Sequence, residues 1–202
     1  MDATKTTELP AAARLPARER LLAAAEALFY EEGVNSVGID KVIERAGVAK
    51  ASLYSHFKSK DELVGAYLGI RQAARRARIE QKMALHREPR QKLLSVFDAL
   101  ADVISEPGYR GCAFVRASAE VRGDSGAHTV CEGARLWTRT LFADLAKKAG
   151  AARPEEVARQ MVMLYDGAAV SAQLDRDARA AARARAIAGG LLDAACAGPV
   201  EK

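Results

Sequence analysis

Hydrogen-bond donors are concentrated in one short stretch of the chain, AGVAKASLYSHFKSKDEL, which begins at Ala46. The donors include Lys50, Tyr54, His56 and Lys60. Ammonium, phenol and imidazole groups of this kind bind phosphate and other anionic oxygens. If the stretch is helical, at about 100° per residue Leu53 and Phe57 share one face. The stretch therefore predicts a short helix that packs through two apolar residues and offers donors to an anionic partner.

The opposite face of this predicted helix carries only small side chains, namely Ala51, Ser52 and Ser55. Small residues let a helix lie close to a neighbouring surface, and donors on both flanks suit the two walls of a DNA major groove. An ordinary amphipathic connector would explain Leu53 and Phe57 but not the donors. We therefore expect this helix to bind DNA.

Two further helices are predicted upstream. Apolar residues recur at i, i+1, i+4, i+7 and i+8 in the first, over about residues 17–32, and a second short helix covers about residues 39–46. Gly47 and Val48 then form a tight turn before the third helix begins near Lys50. Two short helices separated by a small-residue turn are typical of a helix-turn-helix unit.

A fourth helix is predicted from about Lys60 to His86, with Ser59 as its N-cap. Glu62 lies three residues after Ser59, which is the spacing of a capping box. Lys60 falls in the first turn, where a cation is unfavourable for the helix dipole but where free N–H groups bind phosphate. We therefore expect Lys60 to face an anion.

The basic residues are unevenly distributed, although the net charge is only +5. Residues 41–60 hold five lysines and arginines against a single glutamate, and residues 71–92 hold eight against two glutamates. Two basic clusters beside the same short helix indicate a surface that faces phosphates.

The rest of the chain predicts further amphipathic helices, because strong helix formers dominate and β-branched runs are scarce. They cover about residues 90–105, 111–122, 130–149, 154–173 and 177–197, with a break at the GDSGA run of residues 123–127. The chain is thus predicted to be all-α, with about nine helices and a disordered N-terminal arm at residues 1–16.

Residues 27–63, ALFYEEGVNSVGIDKVIERAGVAKASLYSHFKSKDEL, resemble the DNA-binding domain of the TetR family of bacterial transcriptional repressors. The most specific positions are Ala46-Gly47-Val48, Leu53-Tyr54, His56-Phe57, Lys60 and Leu63. The resemblance implies a helix-turn-helix DNA-binding domain at residues 17–63 and a ligand-binding and dimerisation domain at residues 64–202. It implies a repressor that a small-molecule effector releases from a palindromic operator.

The resemblance also implies a role for each matched residue. Lys50, Ala51 and Ser52 would approach base edges, Tyr54 and His56 would contact the sugar-phosphate backbone, and Lys60 would bind a phosphate. Ala51 stands where the family commonly has glycine, and Gly38 where it often has a phosphate-binding threonine. We expect Ser36 to substitute for that threonine.

The segments RGCAFVRASAEV, residues 110–121, and MLYDGAAVSAQLD, residues 163–175, resemble parts of TetR-type regulatory domains. The last two predicted helices each carry an apolar stripe that could form a homodimer interface. In the first the stripe is Val157, Met161, Leu164, Ala168 and Ala172; in the second it is Ala180, Ala184, Ile187, Ala188, Leu191, Leu192 and Ala195. Burial of both stripes within one subunit fits the pattern as well.

Six residues are candidates for an effector pocket: Phe97, Cys112, Phe114, Trp137, Met163 and Tyr165. Each alone fits core packing better than ligand contact, although Trp137 and Tyr165 bring a polar group to an apolar site. Cys112 follows Arg110 near a predicted helix start, where a thiolate would be stabilised. A thiol-based sensor of oxidants or electrophiles is therefore an alternative function.

Catalytic and metal-binding patterns are missing from the sequence. The three cysteines form no C-x-x-C pair, and there is no Ser-His-Asp order, no His-Glu-x-x-His and no phosphate loop. We therefore predict no enzyme, no metal and no cofactor, with a small helical enzyme or binding module and a non-specific architectural DNA-binding protein as the alternatives. Without a signal-peptide pattern or a run of 18 apolar residues, we expect a cytoplasmic protein.

Overall fold

The computed structural model describes residues 15–197. These residues form nine α-helices and no strand, as the sequence predicts. The helices are α1 (Ala17–Glu32), α2 (Ile39–Ala46), α3 (Lys50–His56), α4 (Lys60–Ala84), α5 (Pro89–Ile104), α6 (Ala113–Glu120), α7 (Gly126–Lys148), α8 (Pro154–Leu174) and α9 (Ala180–Cys196). The arm predicted at residues 1–16 lies almost wholly outside the described residues. None of the nine helices is long and apolar enough to cross a membrane.

The first three helices pack on one another and on the beginning of α4. Their core contains Leu21, Leu28, Phe29, Val42, Leu53, Phe57, Leu63 and Tyr67, all buried. Gly47 ends α2 with φ 60° and ψ 43°, a left-handed conformation that glycine adopts without strain. This turn directs the chain from α2 into α3, so the predicted helix-turn-helix arrangement is confirmed.

A second core lies among α5, α7, α8 and α9, around Phe97, Phe142, Met161 and Leu192. Helix α4 belongs to both cores, since Tyr67 is buried in the first and Ile79 in the second. The first core also takes in Ala117 of α6 and Cys131 of α7. The two cores are therefore joined by α4, α6 and α7, and α4 runs without interruption through the boundary predicted after residue 63.

The predicted break at residues 123–127 extends too far, because α7 begins inside it at Gly126. Ser125 Oγ accepts a hydrogen bond from the His128 N–H at 3.0 Å. The Asp61 carboxylate of α4 accepts bonds from the N–H groups of Gly126 and Ala127, at 2.9 and 3.3 Å. Two acceptors thus satisfy the free N–H groups of the first turn, which lets a glycine-containing segment start a helix.

The two apolar stripes that the sequence offered as a dimer interface are mostly buried within the subunit. In α8, Val157, Met161, Ala168 and Ala172 are buried, and in α9 so are Ala184, Ala188 and Leu192. The intrasubunit alternative therefore applies to these residues, with Ile187 as an exposed exception. A different apolar stripe is exposed on α8, formed by Met163, Gly167, Val170 and Leu174.

Candidate DNA interface and effector cavity

Helix α3 is held by two side chains on its inner face. Leu53 and Phe57 are buried in the first core, and the Arg18 guanidinium lies 5.5 Å from the centroid of the Phe57 ring. Arg20 of α1 donates a hydrogen bond to the Gly47 carbonyl at 3.0 Å and so ties α1 to the turn before α3. Sequence reasoning missed both arginines, whose only signal was their position near the start of α1.

The outer face of α3 is open to solvent. Lys50, Ala51, Tyr54 and His56 are exposed and Ser52 is half-buried, so all five predicted contacts on this helix lie on its accessible side. The Tyr54 ring is 51% exposed although it is aromatic. The arrangement leaves a line of donors on α3 that no residue among 15–197 covers.

Lys50 forms an ion pair with Asp40 of α2, with Nζ 3.0 Å from Oδ1. The hydrogen bond and the charge of Asp40 raise the pKa of Lys50 above its usual value. Asp40 is exposed. The pair holds the lysine at the start of α3 without removing it from solvent.

Lys60 occupies the first turn of α4, as predicted. Ser59 Oγ accepts a hydrogen bond from the Glu62 N–H at 3.1 Å, but Glu62 accepts from the Lys58 N–H at 2.7 Å and not from Ser59. Only one of the two predicted capping-box bonds is therefore present: the Ser59 side chain caps the Glu62 N–H, but the Glu62 side chain does not bond the Ser59 N–H. Lys60 is half-buried, and burial lowers its pKa below its usual value.

Ser36 and Gly38 lie before α2. Ser36 is exposed, and Gly38 is the N-cap of α2 with no side-chain cap. A Cβ on Gly38 would meet no atom within 4 Å, so the missing side chain leaves open space rather than a tight backbone approach. Nothing but exposure supports Ser36 as a phosphate contact.

Two cavities lie between α4 and the C-terminal helices. The first encloses about 810 Å³ of empty space, part of it open to solvent, and its walls include Tyr30, Leu100, Val103 and Tyr109. The second encloses about 700 Å³ and reaches His128, Cys131 and Val162. Arg75, Cys112, Phe114 and Tyr165 line both cavities, so the two spaces meet at these side chains.

Three of the six predicted pocket residues, Cys112, Phe114 and Tyr165, line these cavities. Phe97 is instead fully buried behind them, with its ring centroid 6.1 Å from that of Tyr165. Trp137 is half-buried beneath the guanidinium of Arg76, 4.9 Å from its ring, and lines neither cavity.

Met163 is the clearest correction to the predicted pocket, since it is 72% exposed. Met161 and Tyr165 lie four residues apart and both point into the core of the subunit. Met163 lies about 200° around the helix from each of them and must point outward.

The cavity residues that the sequence did not suggest include three arginines of α4. Arg71, Arg75 and Arg78 recur at i, i+4 and i+7 and line the first cavity. Arg71 pairs with Glu26 at 3.5 Å and Arg78 with Glu106 at 2.6 Å. The basic cluster at residues 71–92, expected to face phosphates, therefore contributes largely to intramolecular pairs and to the cavity wall.

Burial sets the protonation of two groups at the cavities. It raises the pKa of Tyr165 to about 12 and that of Cys131 to about 11. Both groups are therefore neutral near pH 7, and the Tyr165 hydroxyl can donate a hydrogen bond.

Helix α6 connects the cavities with the first core. Cys112 and Phe114, at its N-terminal end, line both cavities. At its other end the Glu120 carboxylate accepts a hydrogen bond from the Asn35 N–H at 2.7 Å, and Asn35 Nδ2 donates to the Glu120 carbonyl at 3.0 Å. Between them Arg116 donates to the Tyr30 carbonyl of α1 at 2.6 Å. A shift of α6 at the cavities would thus act on the turn before α2.

No group of three or more metal-ligating side chains occurs in the described range, residues 15–197.

Residues 21–67 match the family model for bacterial regulatory proteins, tetR family. Among curated proteins, the chain is 37% identical over 102 residues to the HTH-type transcriptional activator FasR of Mycolicibacterium smegmatis, covering 48% of this chain and 47% of that protein. It is 30% identical over 106 residues to the HTH-type transcriptional repressor NemR of Escherichia coli, covering 52% of this chain and 53% of that protein. The matches thus span about half the length of these relatives.

Solved structures resemble almost the whole chain. The crystal structure of SCO4454, a TetR-family transcriptional regulator from Streptomyces coelicolor, has a TM-score of 0.84 and 32% identity, covering 89% of this chain and 96% of that one. A TetR-type regulator from Streptomyces avermitilis, sav143, has a TM-score of 0.80 and 33% identity, covering 90% and 98%.

Proposed function

Since the chain belongs to the TetR family of bacterial transcriptional regulators, we propose that it is a homodimeric repressor that binds a palindromic operator and is released by a small-molecule effector. The observation that carries the proposal is the outer face of α3, where donors are exposed on a helix anchored by Leu53 and Phe57. A helix whose inner face is packed against the core and whose outer face is exposed can enter a major groove without rearrangement.

Lys50, Ala51 and Ser52 approach base edges in the proposed complex, because they begin α3 and lie on its accessible side. Tyr54 and His56 contact the sugar-phosphate backbone. Lys60 binds a phosphate at the first turn of α4, where its charge adds to free N–H groups. Ser36 contributes a further phosphate contact before α2.

The homodimer forms in this proposal through the exposed stripe of α8, residues Met163, Gly167, Val170 and Leu174, together with Ile187 of α9. These residues lie at i, i+4, i+7 and i+11 of α8 and so share one face. A two-fold pairing through this face places two copies of α3 on one duplex. Half-sites about 34–36 Å apart would then be bound in successive major-groove turns.

Effector release in the proposed mechanism uses α4 and α6, which each contact both the cavities and the first core. A ligand shifts the equilibrium only if it binds one arrangement of these helices better than the other. The effector would favour a spacing of the two recognition helices that does not match the operator.

The proposal is tested by measuring affinity for DNA that flanks the protein's own gene, by fluorescence anisotropy at fixed salt. A palindromic site should bind roughly 10³-fold or more tightly than a scrambled duplex. Ala51→Glu, which puts a carboxylate on the outer face of α3, should abolish this preference. Gln81→Glu, which adds the same charge at an exposed position of α4, should retain it. Equal affinity for all sequences would favour the architectural DNA-binding alternative instead.

The second candidate function is thiol sensing, because Cys112 lines both cavities and is only half-buried. An electrophile that enters either cavity can therefore reach its sulfur. Peroxide or iodoacetamide should release the wild-type protein from DNA but leave Cys112→Ser bound. Equal release of both proteins would contradict the thiol mechanism.

A further inference from the structure

Arg75 occupies the place where the two cavities meet. Its Nη2 donates hydrogen bonds to the Ala134 carbonyl at 2.9 Å and to Thr138 Oγ1 at 3.0 Å, both on α7. The guanidinium lies 4.6 Å from the centroid of the Phe114 ring. Arg75 is thus fixed between α4, α6 and α7, with the cavities on either side.

Arg75 differs from the two other arginines on its side of α4, because it forms no ion pair within residues 15–197. Arg71 and Arg78 are each matched by a glutamate. In the wall of the second cavity, Asp166 pairs with Arg135 at 2.5 Å, and Glu132 Oε1 lies 3.6 Å from His128 Nε2.

The partners of Arg75 satisfy only part of its hydrogen-bonding capacity. Its Nε is buried and has no hydrogen-bond partner among the described residues. A half-buried guanidinium that meets only neutral acceptors and aromatic rings retains an uncompensated positive charge. An anion in the adjoining space would compensate it, and a carboxylate matches the guanidinium geometry.

The remainder of the cavity surface favours an apolar ligand body. Ala74, Leu100, Val103 and Ala169 give the first cavity an aliphatic portion of its wall. Tyr165 adds a neutral hydroxyl beside Arg75, and this group makes no hydrogen bond among the described residues. One cation, one neutral donor and an aliphatic wall fit a molecule with a single acidic group on an apolar body.

We propose that the effector is an apolar monocarboxylate whose carboxylate binds Arg75 and Tyr165 while its body packs against Leu100 and Val103. This rests on the proposed function, since it names the ligand class for the same cavity. Aliphatic and aromatic acids share this chemistry, and the apolar wall accepts both.

The test is calorimetric binding, without DNA, of two matched probe pairs: octanoate with octanamide, and phenylacetate with phenylacetamide. At least one acid should bind roughly tenfold or more tightly than its amide, which corresponds to about 1.4 kcal/mol. Arg75→Met keeps the aliphatic stem and should remove the preference for the acid while leaving the amide affinity within about twofold. Arg75→Lys keeps a charge and should retain part of the preference.

Arg76→Met is the matched control, because Arg76 is the next residue of α4, is exposed and lines neither cavity. It should bind both probe pairs as the wild type does, and thermal unfolding verifies that each variant is folded. If neither acid is preferred over its amide, or if Arg75→Met keeps the preference, the proposal is wrong. Because the assay contains no DNA, such a failure leaves operator binding intact, whereas loss of operator preference would leave the acid preference intact.

Discussion

The exposed side chains of α3 differ in the contacts that they make in the absence of DNA. Tyr54 and His56 are exposed and make no ion pair within residues 15–197, while Lys50 is paired with Asp40. An exposed ion pair contributes little free energy, so Asp40 can be exchanged for a phosphate at small cost. Lys60 is different, because its stem is half-buried at the first turn of α4 and its position is largely set in advance.

Lys60→Ala should weaken operator binding and reduce its salt dependence. Removing one phosphate contact lowers the slope of log K against log salt by about 0.9, so a dimer, which has two copies of Lys60, should show a decrease of about 1.8. The slope is measured by fluorescence anisotropy over a series of KCl concentrations. Lys147→Ala, at the distant end of α7, should keep the wild-type slope. An unchanged slope in Lys60→Ala would remove this lysine from the set of phosphate-binding residues.

Among the helices, α4 and α6 each line the cavities and also pack in the first core. The first turn of α4 both contains Lys60 and caps α7 through Asp61. Helix α6 begins at the cavities, and its last residue, Glu120, accepts a hydrogen bond from the Asn35 N–H. In the proposed mechanism, a movement at the cavities would reach the first three helices along α4 and through the hydrogen bonds between Glu120 and Asn35.

Asp61→Ala should destabilise the protein, because α7 loses the acceptor for two of its free N–H groups. Loss of a helix cap costs about 1 kcal/mol, which lowers Tm by roughly 2–4 °C in a chain of this size. Differential scanning calorimetry measures the change. Asp124→Ala is the control, since Asp124 is exposed and pairs only with Arg122 in the described structure. Equal Tm values for Asp61→Ala and the control would show that the cap contributes nothing.

Glu120→Ala should loosen the turn before α2, because the Asn35 N–H loses its acceptor. Hydrogen exchange followed by mass spectrometry should show faster exchange for peptides covering residues 33–38, with little change in α9. Glu132→Ala, which removes an exposed carboxylate from α7, should leave exchange at residues 33–38 as in the wild type. Unaltered exchange in Glu120→Ala would mean that α6 does not hold this turn.

For the whole molecule, assembly depends in our proposal on the outer face of α8. Met163 and Leu174 are both 72% exposed and lie on one stripe with Gly167 and Val170. Apolar side chains exposed in a row are typical of a surface that another chain covers. A palindromic operator requires such a two-fold contact, so assembly and DNA recognition should fail together.

Met163→Glu combined with Leu174→Glu should convert the dimer to a monomer, because four like charges would be buried at a two-fold interface. Light scattering coupled to gel filtration measures the mass, and operator affinity should fall roughly 100-fold or more. Leu85→Glu is the control, since Leu85 is 75% exposed in the link between α4 and α5. A dimer that persists in the double variant would place the interface elsewhere.

Local chemistry alone accounts for the fold class, the turn at Gly47 and the bounds of α1 and α2. These features depend on neighbours within one or two turns, such as the spacing of Leu21, Leu28 and Phe29, and the sequence contains that information directly. The exposure of the donors on α3 can also be predicted from local sequence, because helical periodicity places them on a different face from Leu53 and Phe57. Their contacts with DNA remain predictions.

Contacts between distant residues depend on the tertiary structure. Gly126 starts a helix because Asp61, 65 positions earlier, accepts its N–H. The sequence pattern predicts Met163 in the pocket and does not predict Arg75, since a stripe of residues does not reveal which side of its helix another helix will cover. The sequence therefore determines which segments are helical and which faces are apolar. Packing determines which of these faces are buried, and so where a cation such as Arg75 forms no ion pair within residues 15–197.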